Sequence, residues 1–145
     1  MISSTYSELS SDLKDFLRLK YNIIMQLNRY GTLIYSDRNC CKEKCQKCNA
    51  FDNFKYGINY IGQINDFFAE NSQTGNEVIR GIQRVIQGRS QNYKTEFPCS
   101  SDYKKEWIEM EVIPFQSGVL ILCNNITREK NEELQQTKKQ LQLTQ

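Results

Sequence analysis

The chain contains no histidine. Histidine is the common axial ligand of haem iron, the phosphoacceptor of phosphotransfer proteins, the base of most hydrolytic triads and a ligand of most catalytic zinc sites, so its absence counts against all of these chemistries at once. Long apolar runs are also missing. The longest, Val119 to Cys123, falls far short of the roughly 20 residues that span a bilayer, and Met1 to Asp12 has neither the basic start nor the apolar stretch of a secretory leader. The expectation is a cytoplasmic protein with no membrane span in this chain. Charge of one sign is lacking too: 19 basic and 17 acidic residues are interspersed and leave a net charge of +2. No basic stripe exists to bind nucleic acid by counterion release.

What is present suffices for one domain. The 145 residues are 39% hydrophobic and 11% aromatic, enough apolar material for a core of ordinary size but not for two. The six cysteines, in a reducing compartment, are expected to be free, metal-binding or redox-active rather than a disulfide framework.

Thr5-Tyr-Ser-Glu8 has the form of a capping box, and Leu9, Leu13, Phe16 and Leu17 follow at helical spacing, which predicts an amphipathic N-terminal helix over residues 1–20. From Asn22 to Asp37, two β-prone runs meet at Tyr30-Gly31 and predict the first two strands. Arg38 to Asn53 is polar and cysteine-rich and has no assignable element. Ile61 to Glu70 reads as a short helix with Ile64, Phe67 and Phe68 on one side. Thr74-Gly-Asn-Glu77 is a second capping box, followed by Val78, Ile79, Ile82, Val85 and Ile86 at helical spacing and by Gly88 as a left-handed terminator.

Three further β-prone runs, around Tyr93–Cys99, Glu106–Pro114 and Gly118–Cys123, are joined by short connections and read as an antiparallel meander. After Asn125-Ile-Thr-Arg-Glu-Lys130 the composition turns to Lys, Glu, Gln and Leu, which predicts a trailing helix. Two strands, helices, three strands and a helix is not the alternation of a parallel α/β fold. It predicts an α+β domain with one antiparallel sheet. Because strand side chains alternate, Ile108, Met110 and Val112 should face the interior, and Trp107, Glu109, Glu111 and Ile113 the other side. Burying one large side chain is worth about 1.5 to 3 kcal/mol, so the outer Trp107 and Ile113 call for a cover, either the N-terminal helix or a second protomer.

From roughly Ile23 to Lys130 the sequence resembles PAS domains of bacterial sensor proteins. Gly57-Ile-Asn-Tyr60 is similar to their G-x-N-Y element, and Gly81-Ile82 with Val85-Ile86-Gln-Gly88 to their long helix. Phe97-Pro-Cys99 resembles their aromatic-Pro-Cys run, and Trp107-x-x-Met110-x-Val112-x-Pro114 their W-x-x-M-x-V-x-P run. Asn125-Ile-Thr-Arg resembles the D-I-T-E-R junction, with Asn125 where aspartate is usual.

The resemblance implies a five-stranded antiparallel sheet with helices on one face, an N-terminal cap helix, a sensor domain over residues 21–126 and an output helix over 127–145. It further implies a small cavity lined by Ile108, Met110, Val112, Ile121 and Cys123, with Phe67, Ile79 and Ile82 opposite, and a signal junction at Asn125, Thr127 and Arg128. In some members that cavity holds a flavin, a haem or a small metabolite, and in many it holds nothing, so the cofactor stays unspecified. Tyr60 stands where light-sensing members place their reactive cysteine, which disfavours a cysteinyl-flavin adduct. A haem would have to use a cysteine thiolate.

Cys40, Cys41, Cys45 and Cys48 form a second candidate site. Spacings of C-x3-C-x2-C and C-x4-C-x2-C let thiolates converge on a soft metal or an iron–sulfur cluster, and the flanking Lys42, Lys44 and Lys47 favour the thiolate form. The same four residues can instead be ordinary or merely reactive thiols, or a disulfide switch, whereas Cys99 and Cys123 read as structural.

The reading is a non-enzymatic sensory module, of the kind found in two-component signalling, that detects a small ligand or redox state. Its implied partners are a second copy and a downstream effector such as a histidine kinase or cyclase domain. A metal or iron–sulfur redox sensor and a ligand-free dimerisation scaffold are the alternatives. Ile126, Leu134 and Leu141 approach a heptad but are interrupted by Lys130 and Thr137, so a coiled coil is expected to continue in a longer chain.

Overall fold

The computed structural model of the protein describes residues 11–38, 57–69, 71–101 and 104–143. Its elements are α1 (Ser11–Lys20), β1 (Ile23–Leu27), β2 (Leu33–Arg38), α2 (Tyr60–Phe67), α3 (Ser72–Ile86), β3 (Tyr93–Ser101), β4 (Lys104–Phe115), β5 (Gly118–Asn125) and α4 (Thr127–Leu143). The five strands make one antiparallel sheet in the order β2-β1-β5-β4-β3. The meander β3-β4-β5 forms as its turn signals predict. Strand β1 takes the other edge of β5, and β2 folds back outside β1 through a turn in which the Asn28 side chain accepts from the backbone N–H groups of Tyr30 and Thr32.

Helices α2 and α3 pack on one face, as expected. The inner core alternates along the strands: Ile23, Met25 and Leu27 from β1, Ile108, Met110 and Val112 from β4, Val119, Ile121 and Cys123 from β5. Tyr60, Ile64, Phe68, Val78, Ile82 and Val85 meet them from the helical side. Edge-to-face contact between Phe68 and Phe97, with centroids 4.9 Å apart, ties the end of α2 to β3. The opposite face carries a smaller cluster of Tyr21, Ile24, Leu120 and Leu122, with Leu17, Tyr35, Ile113 and Phe115 packed around it. The expected cover for Ile113 therefore includes the end of α1. Of the predicted apolar stripe on that helix, Leu17 is half-buried and Phe16 is exposed, while Leu9 and the Thr5–Glu8 capping box lie outside the described residues.

Helix α3 starts earlier than its sequence suggests. The Asn71 side chain accepts from the N–H of Thr74, so Asn71 is the cap and Thr74 lies within the first turn. Its other end is as predicted: Gly88 adopts φ 75°, Arg89 N–H donates to the Arg84 carbonyl at 2.8 Å, and Gly88 N–H to that of Val85 at 3.0 Å. This is a Schellman closure, which favours glycine at the left-handed position.

Gly81 permits α3 to approach the sheet, because a Cβ there would lie 2.5 Å from three atoms of the Tyr93 ring. Gly81→Ala should therefore cost about 1 to 3 kcal/mol in denaturant unfolding. Combining it with Tyr93→Ala should recover part of that loss; additive losses would show that the ring is not the obstacle.

Candidate functional site

The eight residues expected to line a cavity are brought together. Met110 pairs with Cys123 and Val112 with Ile121 across β4 and β5. Ile82, Ile108, Met110, Val112, Ile121 and Cys123 are each at most 2% exposed, and Phe67 and Ile79 pack against them half-buried. Burial pushes the Cys123 thiol far above its ordinary range, which keeps it protonated and apolar in character. Tyr60, which opens α2 behind the Asn59 cap, has its phenol pushed up by burial as well. Cys40, Cys41, Cys45 and Cys48 lie outside the described residues. Cys99 falls on β3, but its side chain is likewise outside them.

The polar chemistry gathers where β5 becomes α4. Asn125 Oδ1 accepts from the Thr127 N–H at 3.0 Å and from the Thr127 hydroxyl at 2.6 Å, which makes Asn125 the side-chain cap of the helix. The Thr127 oxygen in turn accepts from the Trp107 N–H at 3.0 Å, and the Ile126 N–H donates to the Trp107 carbonyl at 2.9 Å. The start of α4 thus continues the β4 ladder past the end of β5. Asn125 Nδ2 donates to Glu106 Oε2 at 3.2 Å. An aspartate, the residue the motif usually carries here, could cap the helix equally well but would set a second carboxylate against Glu106.

One turn later, Lys130 bonds Glu96 on β3 and lies 5.3 Å from the Trp107 ring centroid. Its hydrogen bond to Glu96 pulls the ammonium pKa up. A lysine thus lies over Trp107, where the sequence called for the N-terminal helix or a second protomer. Arg128, expected at the junction, turns instead to solvent and pairs with Glu132 at 3.3 Å.

On the other side of the junction, the Asn125 N–H donates to Asn22 Oδ1 at 2.9 Å. The Asn22 N–H reaches both Asn124 Oδ1 at 2.9 Å and the Cys123 carbonyl at 3.0 Å. Next to it, the Tyr21 hydroxyl donates to Glu111 Oε1 at 2.9 Å. Burial, that hydrogen bond and the charges of Glu111 and Glu109 push the Tyr21 phenol up to about 12. Sequence reading misses Asn22, Glu106, Glu96 and Lys130. Of these, only the position of Asn22 immediately before a strand is a local signal.

Asn125→Asp should destabilise the protein by about 1 kcal/mol, and Glu106→Gln should restore most of it by removing the facing charge; equal losses in the presence and absence of Glu106 would refute that pairing. Tyr21 sets an alkaline limit. Its folded pKa lies above the ordinary 10.0, so its contribution is whole below about pH 10 and lost as pH rises toward 12. In Tyr21→Phe, the tyrosinate absorbance titration should lose a component near pH 12, and stability should fall less between pH 10 and 12 than in the parent.

No protein-family model matches the chain, and no curated protein matches it in sequence. Its fold does match solved structures. The sensor region of a sensor histidine kinase superposes with a TM-score of 0.55 at 16% identity, covering 75% of this chain and 41% of that one. The chain thus spans less than half the length of that sensor region. The PAS domain of Bordetella pertussis BvgS matches with a TM-score of 0.45 at 16% identity, covering 90% of this chain and 96% of that one. A C-terminal domain from Streptococcus mutans matches with a TM-score of 0.46 at 12% identity, again over 90% and 96% of the two chains. With its five antiparallel strands, its helices on one face and the helix that leaves from the end of β5, the chain has a PAS-like α+β fold.

Proposed function

We propose that this domain is a non-enzymatic sensory module whose output is α4. The observation that carries the reading is the contrast within that helix. Its first turn is bonded to three strands of the sheet, through Asn125 on β5, Trp107 on β4 and Glu96 on β3. From Asn131 to Gln142 every residue is exposed, including Leu134 and Leu141 at 55% and 62%. A change in sheet packing therefore acts on the start of a helix whose remainder lies exposed to solvent.

The input is a small ligand received among Phe67, Ile79, Ile82, Ile108, Met110, Val112, Ile121 and Cys123, because these side chains meet between the sheet and helices α2 and α3. Their apolar character selects an apolar or aromatic molecule over a charged one. The sensor histidine kinase whose sensor region shares this fold supports a kinase as the effector, reached through α4. Self-association of two copies, through α1, α4 or both, would cover Leu134, Leu141, Phe16 and Leu19, which are all exposed. Residues 21–126 are the sensing unit in this reading. The site of action is the cytoplasm; no helix among the described residues is long and apolar enough to cross a membrane.

Sedimentation of the full chain should show a dimer that weakens when residues 1–20 are deleted; a monomer at high concentration, unchanged by the deletion, would refute self-association. Extraction of the natively purified protein followed by mass spectrometry tests the input. An apolar compound released on denaturation, whose re-addition alters amide exchange in residues 126–131, is the expected result. A compound that binds without changing α4 would overturn the proposed output.

A further inference from the structure

We propose that Asn22 is a positioning residue that couples α1 directly to α4, so that a change in the pose of α1 reaches the output helix without passing through the apolar core. The inference rests on reading α4 as the output. Its geometry does not.

Helix α1 closes with the Tyr21 N–H on the Leu17 carbonyl at 2.8 Å. The next residue, Asn22, already belongs to the other end of the domain. Its side-chain oxygen is the acceptor for the backbone N–H of Asn125, and its own N–H is held by Asn124 Oδ1 and the Cys123 carbonyl. Asn125 is the residue whose side chain caps α4 through Thr127. Two residues after the last turn of α1, a single side chain therefore holds the backbone of the α4 cap. The bonds are partly buried and join positions more than 100 residues apart in sequence.

Two features make this a coupling rather than an isolated bond. First, moving Asn22 leaves the Asn125 N–H without its acceptor at the residue that also supplies the cap, so the loss is felt on both sides of Asn125. Second, α1 is held to the sheet near the same point, by Leu17 and Tyr21 in the outer cluster and by the Tyr21–Glu111 bond. Its Phe16 and Leu19 side chains remain exposed at 61% and 88%. A force applied on that exposed side turns α1 about its attached end, and Asn22 sits at that end. The inner core need not rearrange, because Asn22 lies outside it.

The test is amide hydrogen exchange on the full chain without ligand. Asn22→Ala removes the acceptor and should speed exchange at Asn125 to Lys130 about tenfold, the effect of losing roughly one hydrogen bond, while the amides of Met110 and Val112 keep their rates. Asn22→Asp keeps an acceptor oxygen and should restore the slow exchange. Coupling is reciprocal, so Thr127→Val, which loosens the cap from the α4 side, should speed exchange at Tyr21 and Asn22; this second variant serves if Asn22→Ala does not fold. Unchanged α4 rates in Asn22→Ala, an equal rise at Met110 and Val112, or no response of Tyr21 and Asn22 to Thr127→Val would each overturn the coupling. Because no ligand is used, these results stand apart from the sensory reading, which fails or holds on the ligand and effector measurements.

Discussion

Strand β5 is the element on which the rest of the domain depends. It is bonded to β1 along one edge and to β4 along the other, and from Gly118 to Cys123 it is buried on both faces. A strand with no free edge and no free face cannot slip without breaking pairing on both edges and drawing the half-buried amide of Asn124 toward the buried span. Its inner residues Val119, Ile121 and Cys123 anchor the larger core, and its outer residues Leu120 and Leu122 anchor the smaller. The helix that follows is consequently launched from a fixed point and in a fixed direction.

The character of the strand changes at that launch point. Cys123 is buried and apolar in behaviour, while Asn124 and Asn125 are half-buried and amide-bearing. Amides suit such a boundary because each supplies a donor and an acceptor without carrying a charge into a low-dielectric site. Asn125 uses both functions, accepting from Thr127 and donating to Glu106. The replacement of the usual aspartate by asparagine and the presence of Glu106 thus belong to one arrangement. A charge is kept where it can be solvated, on the glutamate, and is absent where the cap and the N–H groups crowd together.

The outer face follows the same logic with different means. Ile113 and Phe115 pack, with Leu17, against the outer apolar cluster, whereas a cation lies over Trp107. Lys130 is held over the indole by Glu96, which binds its ammonium group. This contact fixes the azimuth of α4 in its first turn only. From Asn131 to Gln142 the helix is exposed.

Much of the fold was legible in the sequence because it rests on local rules. Alternation along the chain put Ile108, Met110 and Val112 on the inner face, the turn signals marked the β3-β4-β5 meander, and Gly88 marked the end of α3. Asn125 and Thr127 were marked as a junction by resemblance, but that the Asn125 side chain accepts from Thr127 was seen only in the structure. Local rules failed where two signals competed, as at the start of α3, where Asn71 took the cap from Thr74. They could not show that Asn22 bonds Asn125, that Lys130 rather than Arg128 turns to the sheet, or that Glu96 and Glu106 receive the junction's donors. Periodicity assigns a residue to a face of its own element, but the partner of a polar side chain depends on which element lies against that face and in what register. Those are properties of the folded sheet, decided by β1 lying beside β5 for Asn22 and by β3 and β4 lying on its other side for Glu96 and Glu106.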